Sequence, residues 1–81
     1  MIAVSFRTVR DREEAVLSAI AKVEMALRDQ ASKSALVSDQ ERQKGNHGNR
    51  AYWSGFAQGQ RRSADLVSEL YQRTLEAFRK P

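Results

Sequence analysis

Few residues in this chain are equipped for chemistry, and their spacing points away from catalysis. There is one histidine, His47, and no cysteine. A thiolate metal site is therefore excluded. A zinc or other transition-metal centre is not expected either, because such sites draw on several His and Cys ligands. His47 sits in "KGNHGNR", polar and glycine-rich, with no nucleophile–base pattern around it, and reads as an exposed loop histidine. "GNHGNR" also lacks the GK[ST] continuation of a phosphate loop. Several carboxylates stand four residues ahead of a base: Glu24–Arg28, Asp29–Lys33, Glu69–Arg73 and Glu76–Lys80. On a helix, that order stabilises a solvated face by about 0.2–0.5 kcal/mol per pair. The expectation is a protein without catalytic residues, cofactor, metal or small-molecule substrate.

Recognition of a macromolecule is better provided for. "NRAYWSGFAQGQRRSA", Asn49 to Ala64, gathers Tyr52, Trp53 and Phe56 with Arg61 and Arg62. Trp, Tyr and Arg are the side chains most enriched in interface hot spots. Tyr52, Trp53, Phe56, Leu66 and Tyr71 are therefore the expected contacts with a protein partner or a second copy. The formal charge of +4 and pI near 10.0 raise a nucleic-acid alternative. Arg42, Lys44, His47 and Arg50 would cluster at one end, followed by Arg61 and Arg62, to meet phosphates or another acidic partner. Two features weigh against it. The aromatics fall in a packing arc, where aromatics are more often core than stacking platforms, and no helix-turn-helix pattern is present. The charge is also only modestly concentrated. Residues 1–44 hold eight bases against seven acids, and residues 45–81 hold six against three.

The elements that must position these groups are two helices. From Thr8 to Lys44 there is neither Gly nor Pro, and strong helix formers dominate. Thr8 or Asp11 can cap the start, and Asp11 with Glu14 resembles a capping box. All four glycines lie between residues 45 and 59. The turn is placed at 45–49, with Asn49 as N-cap of the second helix. Helices at about 9–43 and 50–79 joined by so short a turn run antiparallel. The fold class is therefore all-α, a helical hairpin forming one domain over 1–81. An N-terminal arm, 1–8, alternates Ile2, Val4 and Phe6 with smaller or polar residues, and fits a short strand, a packed arm or a disordered one.

In the first helix a 4-3 pattern runs through Val16, Ile20, Val23, Leu27, Gln30, Ser34 and Val37. In the second, half of the helical wheel collects every large apolar residue, from Tyr52 to Phe78. Folding one helix on the other so that residue numbers sum to about 93–94 sets Ser34 against Gly59 or Gln60, Leu27 against Val67 and Val23 against Leu70. Gly59 reads there as a point of close backbone approach. One helix cannot cover so wide an arc. A second seam, closed by a homodimeric four-helix bundle, is the expectation. Met25 and Leu36 fall on the otherwise polar back of the first helix.

The run "AYWSGFAQGQRRSADLVSEL", Ala51 to Leu70, resembles helices of small, functionally unassigned proteins of bacteriophages and mobile elements. The resemblance covers about a quarter of the chain and implies a protein that binds and redirects a host protein. It transfers no site residues. No stretch of about eighteen apolar residues and no signal-peptide pattern is present, so a cytoplasmic protein with no membrane partner is expected. The functional expectation is a small helical regulator or inhibitor, non-enzymatic, acting by binding a macromolecular partner. The alternative is a basic nucleic-acid-binding protein.

Overall fold

A computed structural model describes residues 9–80; the expectations for the arm 1–8, including the Thr8 cap, lie outside those residues. The chain forms α1 (Val9–Gln43), of 35 residues, and α2 (His47–Arg79), of 33 residues. They pack against each other along their length as an antiparallel hairpin. The all-α hairpin expected from composition and glycine placement is therefore the fold.

The turn is tighter than the glycine pattern suggests. Gly45 takes φ +78°, a conformation that costs a side-chain-bearing residue but not glycine. Its N–H donates to the Arg42 carbonyl at 3.0 Å, and the Asn46 N–H donates to the Glu41 carbonyl at 2.9 Å. Those two bonds are the Schellman closure, which satisfies the last carbonyls of α1 within two residues. The chain then re-enters helix at once. Asn46, not Asn49, is the N-cap, and it makes no side-chain capping bond. His47, Gly48 and Asn49 belong to the first turn of α2.

The seam between the helices follows a heptad rhythm. In α1 a protected stripe runs Glu13, Leu17, Ile20, Glu24, Leu27, Ala31, Ser34, Ser38 and Glu41, with Ala21, Ala35 and Val37 half-buried at its edges. In α2 it runs Trp53, Ala57, Gln60, Ala64, Val67, Tyr71, Thr74 and Phe78, with Ser54, Ser68 and Leu75 half-buried beside it. Alternate steps of four and three keep one stripe facing the partner helix. Among the described residues only Ala31, Ala57, Ala64, Ser34 and Ser38 are buried, and no large side chain is fully so. Small residues at the centre let the helix axes approach closely, while larger, half-buried ones fill toward the open end.

The α1 stripe corrects the sequence reading by one position. Ile20, Leu27 and Ser34 face α2 as expected, but Leu17, Glu24 and Ala31 replace Val16, Val23 and Gln30 as their seam partners, and Ser38 is buried beside Val37, which stays half-buried. Apolarity favoured the valines; volume decides against them. Ala57 and Ala64 of α2 leave room only for small residues opposite, and Ala31 and Ser38 are small. Val16 and Val23 turn outward on one flank, each about half exposed.

The register is close to the one expected. Ser34 Oγ donates to Gln60 Oε1 at 2.9 Å, and Gln60 Nε2 donates to Gln30 Oε1 at 3.2 Å. Ser38 Oγ donates to the Arg50 carbonyl at 2.9 Å. Among the described residues no buried side-chain polar atom lacks a partner, as a polar seam requires. Arg28 bridges the helices, reaching Asp65 at 3.1 Å and Glu24 at 2.9 Å. Gly59 does not act as a close-approach point. A Cβ built on it meets nothing within 4 Å, and the same holds for Gly55.

Candidate interaction surface

With the seam assigned, every remaining side chain falls on a definable face. One flank of the hairpin carries the lines 9–16–23–30–37 of α1 and 56–63–70–77 of α2, with 52–59–66–73 beside the latter. Nine large apolar side chains are exposed among the described residues: Val9, Val16, Val23, Met25, Leu36, Tyr52, Phe56, Leu66 and Leu70. Seven of the nine lie on those lines, so their exposure is concentrated, not scattered. Only Met25 and Leu36 lie elsewhere, singly, on α1, where they require no explanation.

The face has two apolar ends and a polar waist. Near the turn, Tyr52, Trp53 and Phe56 form an aromatic cluster. Tyr52 meets Trp53 edge-on with centroids 5.3 Å apart, and Phe56 lies 6.1 Å from Tyr52 and 5.9 Å from Trp53. Toward the open end, Val16 and Val23 of α1 and Leu66 and Leu70 of α2 are exposed along the same lines. Between them sit Gly59, Ser63 and Gln30, all exposed.

The five expected partner contacts therefore divide. Tyr52 (61% exposed), Phe56 (47%) and Leu66 (60%) are displayed. Trp53 and Tyr71 are half-buried in the seam, so their first role is to hold the hairpin together. Val16, Val23 and Leu70 share the displayed face and lie outside the set expected from the sequence. The signal was present in the valines at every seventh residue, but an apolar line adjacent to the true seam is indistinguishable from it by periodicity alone.

The opposite flank is polar. Arg42, Arg50 and Arg61 line one shallow groove with Asp39, Ser38, Ser54 and Gln58. Arg42 is already paired with Asp39. Lys44 and His47 stay exposed at the tip, outside the groove lining. Arg62 is outside that groove and lines a separate shallow depression with Gly55, Gln58 and Gly59. The six basic residues thus do not form one patch; three of them do. Farther along the same flank, the Arg28 guanidinium is held above its usual range, first by its hydrogen bond to Glu24 and then by that to Asp65.

Among the described residues no group of three or more His, Cys, Asp or Glu is placed to hold a metal ion. No helix there is long and apolar enough to cross a membrane. No protein-family model, curated protein or solved structure matches this chain.

Proposed function

We propose that this chain is a non-enzymatic interaction module, a small helical regulator that acts by binding a macromolecular partner through the flank bearing Tyr52, Phe56, Leu66, Leu70, Val16 and Val23. One observation carries the reading: among the described residues, seven of nine exposed large apolar side chains share one face. Apolar surface is worth about 25 cal/mol per Å² when removed from water, and rigid aromatics give up little entropy on docking. The resemblance of Ala51–Leu70 to phage and mobile-element helices agrees with such a role. Site-specific photocrosslinking in cells tests it. A photoreactive residue at Phe56 or Leu66 should give a discrete adduct, and the same residue at Leu36, on the back of α1, should give none. Equal, diffuse labelling at all three positions would remove the basis for the reading.

The nucleic-acid alternative retains one specific support, the groove that brings Arg42, Arg50 and Arg61 together. Anisotropy titration with duplex and single-stranded DNA and RNA across a salt series separates the two readings. Three phosphate contacts predict log K falling with log salt at a slope of about −2 to −3. Binding confined to low salt would mark the charge as generic.

A further inference from the structure

The occupant of the apolar face can be named, on the premise that this face is a binding surface. We propose that a second copy of this chain covers it, stacked face to face with the two turns at opposite ends, to give a two-fold four-helix bundle.

The hairpin alone is one layer of two helices, α1 and α2, whereas stable domains bury their apolar faces between two layers. Seven large apolar side chains stay exposed on one side of that layer, the side a second layer would cover.

The pattern on the face is self-complementary. Ser63 and Gln30 come level by the same offset that pairs Arg28 with Asp65. A two-fold axis through this waist brings opposite one another residues equally far on either side of it. Phe56 and Leu70 stand seven residues before and after Ser63, so each Phe56 meets the partner's Leu70. Val23 and Val37 stand seven before and after Gln30, so each Val23 meets the partner's Val37. Leu66 comes over the partner's Gly59, and Tyr52 comes beside the partner's Arg73, whose guanidinium can stack on the ring.

Gly59 supplies an independent argument. Mid-helix glycine is unfavourable, and nothing in the hairpin needs it, since a Cβ there would meet nothing within 4 Å. Seating of the partner's Leu66 gives it a reason. With the turns at the same end, Gly59 would instead face the partner's Lys33 and its absence of a side chain would serve nothing.

The test uses the purified full chain, which has no native cysteine to interfere. Sedimentation equilibrium at tens of micromolar should return twice the 9.2 kDa chain mass. Ser63→Cys, on the axis, should be joined efficiently to its own copy by a short bis-maleimide, and Tyr52→Cys, far from the axis, should not. Gly59→Leu should remain helical by circular dichroism yet raise the dimer Kd about a hundredfold, because a clash of roughly tenfold occurs twice. Gly55→Leu, equally open but on the far side of α2, should leave the Kd unchanged. A monomeric wild type, a Gly59→Leu variant that dimerises as well as wild type, or preferential joining of Tyr52→Cys would each overturn the proposal. A monomer that still gives a discrete adduct with another protein at Phe56 and Leu66 would reject the second copy while leaving the binding face standing. Loss of both would reject both.

Discussion

The central seam should tolerate almost no added volume, and Ala64→Leu is the sharpest perturbation of it. Ala64 is 0% exposed, and Ala31 and Ala57 are 1% and 2% exposed, so the helices meet there at alanine spacing. Leucine is nearly as good a helix former as alanine; the change therefore tests packing, not propensity. Three extra carbons have no void to occupy, and overpacking of this kind costs about 1–3 kcal/mol. Spreading the helices would also stretch the Ser34–Gln60 hydrogen bond, 2.9 Å long, worth about a further 1 kcal/mol. The expected loss is roughly 2–4 kcal/mol, which for a chain of this size lowers Tm by about 10–25 °C. Thermal unfolding followed at the helical circular-dichroism band, at one fixed protein concentration, reads it directly. Ala15→Leu, exposed on the back of α1, serves as the control and should fall within about 0.5 kcal/mol of wild type. If Ala64→Leu is no less stable than Ala15→Leu, the close-packed alanine seam is wrong.

Three further outcomes follow from the same geometry. Gly45→Ala should lose about 1 kcal/mol in urea unfolding because its φ of +78° suits glycine, and Gly45→Asn should lose less; equal losses would indicate that side-chain size, not φ, is at issue. Trp53→Ala should cost about 2 kcal/mol, since the ring is half-buried and contacts both Tyr52 and Phe56, and a neutral result would move Trp53 to the displayed set. Asp65→Asn should lower Tm at about 10 mM salt and much less at about 0.5 M, because the pair with Arg28 is exposed and screened. A raised guanidinium pKa contributes stability below its ordinary value and loses it only as pH rises through the raised one. Arg28 therefore adds no pH dependence near neutrality, and a salt-insensitive Asp65→Asn effect would contradict the surface placement.

The amino-acid sequence by itself determined the two helices. A glycine-free, proline-free run from Thr8 to Lys44 and four glycines confined to residues 45–59 leave one break, and a short break makes an antiparallel hairpin. It also determined that α2 carries more apolar surface than one helix can cover, because every large apolar side chain there falls on half of the wheel. Helix ends were legible to within three residues; α2 starts early because Gly45 and Asn46 complete the closure without Gly48 or Asn49. Which stripe of α1 meets α2 was decided only by the tertiary structure. Two adjacent stripes have the same period, and hydrophobicity ranks the valines first, but the alanines of α2 admit only Ala31, Ser34 and Ser38 at their level. That one-position rotation moved Val16 and Val23 outward, joined them to Tyr52, Phe56, Leu66 and Leu70, and so created the face on which the proposed function rests. The basic residues were split for the same reason: a helix turns 100° per residue, so Arg61 and its neighbour Arg62 point to different sides of α2.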